Sequence, residues 1–211
     1  VAFIMDGNRR FARERGWNVA DGHRRGYDKL EEALRWCCEL GVHGVTVYAF
    51  SIENFKRSAE EVAALMALTE EKLRAMSDER NVVQRRGVRV RVVGDLSRVS
   101  TSLRTEMRRV MRMTQGNTRH TLTVCFSYTS RNEMAASVRR LAGACADDRL
   151  LPDDLSNELI EQCLVRWPHH SLITSQPDHS LIIRTTTPTR DFSTPGQAAR
   201  GCRLRCDAAV P

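Results

Sequence analysis

The sequence predicts an α/β fold with a central, mostly parallel sheet flanked by helices, and two observations support this. First, short apolar segments alternate with segments of helical periodicity almost from one end of the chain to the other. Because the apolar segments do not alternate with polar residues, they are typical of parallel strands that are buried on both faces and joined by right-handed crossovers. Second, arginine-rich segments follow the predicted strands, and ligands bind at that edge of such sheets.

The predicted strands are short and apolar. The first stops at the turn-forming sequence Asp6-Gly7-Asn8, and the second is β-branched and aromatic, as buried strands are. The predicted strands are residues 1–5, 45–50, 88–93, 121–126 and 181–183.

The predicted helices begin and end at recognisable signals. Residues 26–40 carry apolar side chains at helical spacing and are followed by Gly41, which favours a helix C-terminus. Ser58-Ala-Glu-Glu61 is a capping box that opens the next helix. Three further helices are predicted at residues 101–113, 131–144 and 156–164, the first of them basic.

Composition limits the class of protein. With 211 residues the chain provides for one large domain, and 41% hydrophobic and 28% charged residues exclude a disordered chain. No apolar run approaches the roughly 18 residues that a transmembrane helix needs. The first residue is Val1 and no signal peptide follows, so we expect the natural chain to begin further upstream.

The charge balance predicts an anionic partner. Lys and Arg total 33 against 26 Asp and Glu, a net charge of +7, and the excess is mostly arginine. Arginine binds phosphate oxygens in a bidentate manner, so nucleic acid, phospholipid and phosphorylated small molecules all remain candidates at this point.

The seven cysteines form an odd set without CxxC pairs, which indicates buried, reduced thiols in a reducing compartment. Cys202 and Cys206 are a weak metal-binding candidate, because neither histidine nor a second cysteine pair accompanies them. The full set is Cys37, Cys38, Cys125, Cys145, Cys163, Cys202 and Cys206.

Polar segments follow each predicted strand and should meet at one edge of the sheet. Four of the five contain arginine, which points to a phosphate-binding edge. These segments are residues 6–10, 51–57, 94–95, 127–131 and 184–190.

Several long motifs resemble the cis-prenyltransferases, and resemble eukaryotic dehydrodolichyl diphosphate synthases more than bacterial undecaprenyl diphosphate synthases. The strongest is Ala-Phe-Ser-Ile-Glu-Asn-Phe-Lys-Arg at residues 49–57, and the resemblance extends from Val1 to about Thr185. The other motifs are residues 1–10, His23, residues 45–48, 88–95, 128–133 and 182–185.

The resemblance implies a cis-prenyltransferase-like fold and a specific reaction. Such enzymes transfer isopentenyl units from isopentenyl diphosphate onto an allylic, farnesyl-type diphosphate with cis geometry and require Mg²⁺. For this chain it implies a long polyprenyl (dehydrodolichyl) diphosphate for dolichol and protein glycosylation. It further implies a peripheral protein on the cytoplasmic face of the endoplasmic reticulum and a homodimer or a heteromer with a related non-catalytic subunit. The membrane surface would receive the product, and nucleic acid is not expected as a partner.

The family's site residues are carried over by position. Asp6 would hold Mg²⁺ on the departing diphosphate, and a carboxylate is a suitable hard oxygen ligand. Asn54 matches a residue assigned to proton removal or to its support. Because an amide is a poor base, we assign Asn54 to positioning and the proton to a diphosphate oxygen. Residues expected around the allylic diphosphate are Gly7, Asn8, Arg9, Arg10 and His23.

A second group is expected beside isopentenyl diphosphate. Phe11 and Phe55 would face hydrocarbon, with ordinary core packing as the alternative. Small residues Ala63, Ala64 and Ala67 would leave space for the growing chain, with close helix packing as the alternative. The loop and rim residues of this group are Ser51, Ile52, Glu53, Phe55, Arg57, Arg184 and Arg190.

The chain departs from the family at its C-terminal end. Residues 184–193 lack the family's Gly-Glu, and Val19 stands where the family has arginine. Residues 191–211 lack a second Mg²⁺-binding glutamate and the dimerisation segment. We therefore expect a domain at residues 1–190 that is truncated at both ends, with the C-terminal part of the fold missing or divergent, and a divergent tail at 191–211.

Two other functions are considered. A catalytically impaired family member, acting as a partner subunit or an inactive fragment, is suggested by the divergent end. The preserved motifs at residues 6–10 and 51–57 oppose it. A nucleic-acid-binding domain is disfavoured because the aromatic content is only 6% and no basic–aromatic motif is present.

Overall fold

The computed structural model describes residues 1–164 and 182–186, which form a parallel sheet covered by helices. The strand order is β3-β4-β2-β1-β5, and every described strand pair is parallel. The predicted fold class is confirmed, and the predicted tail lies outside the described residues. The strands are β1 (Ala2–Asp6), β2 (Gly44–Ser51), β3 (Val88–Val93), β4 (His120–Tyr128) and β5 (Ile182–Thr186).

The five predicted helices are present, one of them with a different beginning, and the short helices α1 and α4 were not predicted. The second helix begins at Val19 rather than at residue 26, because the Asn18 side chain accepts a hydrogen bond from the Asp21 N–H at 2.8 Å and caps it there. The helices are α1 (Asn8–Glu14), α2 (Val19–Glu39), α3 (Ala59–Ala75), α4 (Val82–Arg85), α5 (Thr101–Met113), α6 (Ser130–Ala146) and α7 (Asn157–Cys163).

The main core lies between one face of the sheet and helices α2, α3 and α5. Strand residues such as Val47, Val90 and Leu122 are buried there, together with Leu103 and Met107 of α5. Burying side chains of this size stabilises the fold by roughly 1.5–3 kcal/mol each. The core therefore holds the sheet rigid and leaves the loops at its carboxyl edge to form a site.

The edge strand β3 is partly covered by side chains of α5 and the turn after it. The Val90 N–H donates to Thr114 Oγ1 at 3.0 Å, and the Val92 N–H points at the sulfur of Met111 at 3.3 Å. The Asn117 side-chain amide donates to the Val88 carbonyl at 2.9 Å. These contacts engage three backbone groups on the outer side of β3, so its edge is partly covered against another strand.

None of the described helices is long and apolar enough to cross a membrane. The five cysteines in the described part of the chain are free thiols, as predicted, but only Cys37 and Cys125 are buried and the other three are half-buried. Burial raises the pKa of Cys125 to about 11.

Candidate active site

The end of β1 turns sharply at Gly7 and presents the Asp6 carboxylate. Gly7 has φ = 88°, a left-handed conformation that glycine adopts without steric cost. Its N–H donates to Asp6 Oδ1 at 2.7 Å, while the Arg10 guanidinium lies 3.5 Å from Asp6 Oδ2. The predicted diphosphate turn is therefore compact, with Asp6 and Arg10 side by side at the carboxyl edge of the sheet.

Two glycines of α2 pack directly on Asn8. A Cβ atom at Gly22 would lie 2.5 Å from the Asn8 carbonyl oxygen, and one at Gly26 would lie 2.3 Å from Asn8 Oδ1. Neither distance leaves room for a methyl group. Sequence reasoning missed both glycines as site residues, although their four-residue spacing places them on one face of a helix and was a usable signal.

Glu61, in the first turn of α3, joins three predicted site residues. Its carboxylate oxygens lie 2.8 Å from Arg57 Nη1, 3.4 Å from His23 Nε2 and 3.9 Å from Arg9 Nη1. The Glu61 side chain is only 15% exposed, so these charges interact with limited solvent screening. Glu61 thereby holds α1, α2 and the 51–57 loop around one point.

The sequence predicts that Glu61 completes a capping box with Ser58, and this prediction is wrong in part. The Ser58 hydroxyl accepts a hydrogen bond from the Glu61 N–H at 3.2 Å, as a helix cap requires. The carboxylate, however, is bonded to the side chains of Arg57 and His23. The Arg57 guanidinium is charged and forms a stronger hydrogen bond to a carboxylate than a neutral backbone amide does, which accounts for this pairing.

His23 is placed with the other diphosphate candidates and is largely enclosed. Burial lowers its pKa below 6.5, and its hydrogen bond to Glu61 opposes that shift only in part. The imidazole is therefore neutral near pH 7 and able to donate or accept one hydrogen bond at the site.

The 51–57 loop is a short 3₁₀ helix, Ile52–Lys56, with a reciprocal cap. Asn54 Oδ1 accepts from the Ser51 N–H at 2.9 Å, and the Ser51 hydroxyl accepts from the Glu53 N–H at 3.1 Å. The Glu53 carboxylate faces solvent and pairs with Lys56 at 2.9 Å. Because the Asn54 oxygen is engaged, its NH₂ group is the part that can reach a ligand.

The two aromatic candidates make packing contacts. Phe55 meets Phe50 edge to face, with ring centroids 5.0 Å apart, and joins the core. Phe11 is buried against Trp17 at 5.7 Å, and the Arg15 guanidinium lies 4.7 Å above its ring. These contacts correspond to the core-packing alternative for both residues.

A cavity of about 250 Å³ lies between α2 and α3, with His23 in its lining. Ala64 and Ala67 form part of its wall, as predicted for a hydrocarbon path, whereas Ala63 does not line it. Arg24 and Glu71, which also line the cavity, bridge the two helices at 2.6 Å. Its lining is Ala20, His23, Arg24, Ala64, Leu65, Ala67, Leu68 and Glu71.

The remaining candidates are less completely placed. Arg184 pairs with Ile4 in the β1–β5 ladder, two positions before the end of β1. Arg190 lies outside the described residues. Within residues 1–164 and 182–186, no group of three or more His, Cys, Asp or Glu side chains forms a metal cluster. Asp6 is thus the single carboxylate that the described turn presents to a metal–diphosphate.

Comparison with known proteins identifies similar sequences and structures. A sequence model described as "Putative undecaprenyl diphosphate synthase" matches residues 4–192. A dehydrodolichyl diphosphate synthase complex subunit of Mus musculus is 42% identical over 190 residues, 90% of this chain and 55% of the relative. A tritrans,polycis-undecaprenyl-diphosphate synthase of Archaeoglobus fulgidus is 36% identical over 212 residues, 100% of this chain and 82% of the relative.

The fold is also found in solved structures. Lavandulyl diphosphate synthase from Lavandula x intermedia, crystallised with dimethylallyl diphosphate, has a TM-score of 0.76 at 30% identity. The match covers 87% of this chain and 75% of that one. The present chain spans about half the length of the mouse relative, 55% by alignment.

Proposed function

The chain belongs to the undecaprenyl diphosphate synthase family of cis-prenyltransferases, and we propose that it transfers isopentenyl units onto an allylic diphosphate with cis geometry. The observation that carries this proposal is the convergence on Glu61. Arg9 from the diphosphate turn, His23 from α2 and Arg57 from the loop all reach that one carboxylate. Two sets of phosphate-binding groups therefore lie side by side, as joining two diphosphate substrates requires.

The allylic diphosphate is assigned to the turn at residues 6–10. Arg9 and Arg10 are exposed cations beside the compact Gly7 turn, so their guanidinium groups are accessible to phosphate oxygens. Arg10 is already drawn to the Asp6 carboxylate at 3.5 Å, which keeps the cation beside the expected leaving group.

Mg²⁺ is assigned to Asp6 together with diphosphate oxygens. The site fits such an ion, because Asp6 supplies a hard oxygen ligand and Mg²⁺ is commonly held by one or two carboxylates plus substrate phosphates. A bound Mg²⁺ would neutralise negative charge on the departing diphosphate. The Gly7 N–H, by donating to Asp6 Oδ1, fixes the orientation of the carboxylate.

Isopentenyl diphosphate is assigned to the loop side of the site, with Arg57 as its described cation and Arg184 and Arg190 as further candidates. The allylic carbon–oxygen bond breaks, the isopentenyl double bond forms the new carbon–carbon bond, and one proton leaves. Asn54 is assigned to positioning because its oxygen is bonded to the Ser51 N–H. A diphosphate oxygen then accepts the proton.

The product and its setting follow from the same premise. We propose a long polyprenyl (dehydrodolichyl) diphosphate for dolichol, released at a membrane surface on the cytoplasmic side of the endoplasmic reticulum. The mouse relative is named as a subunit of a complex, so a homodimer or a related partner subunit is proposed here too. The boundary at residue 190 stays a prediction. A catalytically impaired partner subunit is not favoured, because the described motifs keep an ordered geometry.

The test compares the wild-type chain with Asp6→Ala in Mg²⁺-dependent incorporation of labelled isopentenyl diphosphate into polyprenol. We expect turnover to fall by orders of magnitude in Asp6→Ala while the thermal transition is unchanged. Asp153→Ala, which removes an exposed carboxylate outside the site, is the matched control. Wild-type turnover in Asp6→Ala would remove Asp6 from the mechanism.

A binding measurement covers the case in which the chain needs a partner for turnover. Calorimetric titration with a non-hydrolysable farnesyl thiodiphosphate should show binding that Mg²⁺ strengthens and that Asp6→Ala weakens. A folded chain that neither incorporates isopentenyl units nor binds the analogue would overturn the proposal.

A further inference from the structure

The edge of the sheet opposite the candidate site carries an exposed surface that is both apolar and basic. The strands begin at this edge, and α2 and α5 end there, because crossover helices run antiparallel to the strands they connect. We call it the amino-edge surface and define it as Arg35, Trp36, Leu40, Arg85, Arg86, Arg112, Met113 and Arg119.

Contacts between elements show that these residues share one edge. Arg86 Nη2 lies 3.1 Å from Glu39 Oε1, which ties the segment after α4 to the end of α2. The Gln84 side-chain amide lies 3.6 Å from the sulfur of Met113, at the end of α5. A Cβ atom at Gly87 would lie 3.7 Å from the Arg119 side chain.

The apolar part of the amino-edge surface is unusually exposed. Trp36 is 58% exposed, Leu40 80% and Met113 40%. Trp36 and Leu40 are one helical turn apart on α2, so they project from the same face of the helix. An indole beside aliphatic side chains is the combination that inserts at the boundary between lipid headgroups and acyl chains.

The charged part of the amino-edge surface is predominantly cationic. Glu39 is paired with Arg86, and Asp78, in the turn after α3, is paired with Arg80 at 3.4 Å. Glu79 lies in that same turn. The described structure gives no carboxylate partner to the cations Arg35, Arg85, Arg112 and Arg119, all of which are exposed.

The position of the amino-edge surface relative to the α2–α3 cavity suggests what it contacts. Both helices run from the candidate site toward this edge, with the cavity between them. At about 250 Å³ the cavity is smaller than pockets that enclose a drug-sized ligand, roughly 300–1,000 Å³. A long polyprenyl chain would outgrow this cavity, and the amino-edge surface lies at the end toward which both helices run.

We propose that the amino-edge surface docks on an anionic lipid bilayer, so that the growing hydrocarbon passes from the α2–α3 cavity into the acyl layer. The placement rests on the proposed function, because it assigns the exit for that product. Charge complementarity selects the occupant: free arginines match anionic headgroups, and Trp36 and Leu40 supply the apolar anchor.

The test is flotation of the purified chain with phosphatidylcholine vesicles, with and without about one-third phosphatidylserine. We expect binding to the anionic vesicles that weakens as salt is raised, and little binding to phosphatidylcholine alone. Trp36→Ser with Leu40→Ser should lower the partition coefficient about tenfold or more. Arg85→Gln with Arg112→Gln should lower it about 25-fold, from about fivefold per arginine.

Matched control variants on α6 and in the turn after it separate this face from the rest of the surface. Met134→Ser with Val138→Ser removes another exposed apolar pair one turn apart, and Arg139→Gln with Arg149→Gln removes two other exposed cations. We expect these control variants to bind vesicles like the wild type. Equal losses in the control variants, or no binding to anionic vesicles, would overturn the proposal.

Two further measurements distinguish docking on a bilayer from self-association and from a failure of the proposed function. Light scattering that shows a concentration-dependent dimer, lost in Trp36→Ser with Leu40→Ser, together with no vesicle binding, would identify an interface between copies and overturn the proposal. Prenyl transfer in vesicle-free detergent should be unchanged in all four variants. If prenyl transfer is absent while vesicle binding behaves as expected, the proposed function fails and the docking surface stands.

Discussion

Helix α2 makes two contacts of opposite character, one tightly packed against Asn8 and one that borders a cavity. On one side Gly22 and Gly26 bring it against the backbone and side chain of Asn8, with no space for a methyl group. On the other side Ala64 and Ala67 of α3 border a cavity of about 250 Å³. Close backbone packing fixes the α1–α2 contact, whereas the α2–α3 contact leaves an unfilled cavity between the helices. In the proposed function the diphosphate has one size and the growing hydrocarbon has many, so a rigid contact would suit the first and a contact with free volume the second.

The α1–α2 and α2–α3 contacts also differ in the interactions that stabilise them. Backbone in close contact cannot relax without moving a helix. The α2–α3 contact is bridged on its outer side by Arg24 and Glu71, and both side chains are about half exposed. Exposed ion pairs of this kind contribute about 0–1 kcal/mol. We therefore expect substitutions at the first contact to have the larger effects.

The largest effect is expected for Gly22→Ala. Its new methyl group would lie 2.5 Å from the Asn8 carbonyl oxygen and 2.8 Å from Ala12 Cβ, so α1 and the diphosphate turn must shift. We expect prenyl transfer to fall by about 100-fold or more, since a displacement near 1 Å at a reacting site has that cost. The free energy of unfolding should fall by about 1–3 kcal/mol.

Gly143→Ala is the control for Gly22→Ala. It also lies inside a helix, but nothing is within 4 Å of a Cβ atom built there. It should leave activity unchanged and stabilise the protein by about 0.5–1 kcal/mol. A Gly22→Ala variant with normal kinetics and normal urea unfolding would show that the α1–α2 contact is not as tight as described.

The second effect is expected where the two contacts meet, at Glu61. Glu61→Gln keeps the size of the side chain and removes the charge that holds Arg9, His23 and Arg57. Each of the two charged hydrogen bonds that weaken, those with Arg57 and His23, is worth about 1.5–3 kcal/mol, so kcat/KM should fall by about one to two decades for both substrates. Glu60→Gln, at the adjacent exposed position, should be neutral. A loss confined to one diphosphate would argue against a shared role.

A smaller effect is expected for Ala67→Leu at the α2–α3 contact. Leucine there would fill part of the cavity, so the product should be shorter by several isoprene units while the thermal transition moves little. Ala63→Leu is the control, because Ala63 lies on α3 but does not line the cavity. Thin-layer separation of the dephosphorylated products measures both. Unchanged product length in Ala67→Leu would show that the growing hydrocarbon does not occupy this cavity.

The smallest effect is the pH dependence of stability due to His23. Burial lowers its pKa in the folded protein below 6.5, so the unfolded chain binds more protons as the pH falls through that value. The stability contribution is complete above pH 6.5 and is lost as the pH falls through the lower, folded-state pKa. Urea unfolding between about pH 5 and 8 should therefore show a steeper acid loss in wild type than in His23→Gln. Parallel curves would contradict the assignment.

Sequence reasoning was most successful where neighbouring residues decide the structure. Strand β3 and helix α5 lie where periodicity predicts them, at Val88–Val93 and Thr101–Met113. The beginning of α2 was missed because its first turns contain Gly22 and Gly26, which lower helix propensity. Their contact with Asn8 offsets that cost, and no local pattern reports such a contact.

In the candidate site, too, sequence reasoning found the residues within local motifs and missed a residue whose partners are remote in sequence. The resemblance to a family placed Asp6, His23 and Arg57 in the site, and the structure brings the last two together through Glu61. Glu61 itself was interpreted as a helix-cap residue, because its partners in the first two helices are remote in sequence. Long-range electrostatic partners leave no periodic signal. The assignment of Arg190 stays a prediction, since it lies outside the described residues.

The partly covered edge at β3 has a consequence for stoichiometry. A sheet whose two terminal strands are both open can add copies without limit, in the manner of a filament. Here Thr114, Met111 and Asn117 engage three backbone groups on the outer side of β3, and β5 is the other terminal strand of the described sheet. Strand pairing along β3 is therefore disfavoured, and two copies that paired along β5 would each turn this partly covered edge outward, which opposes further addition.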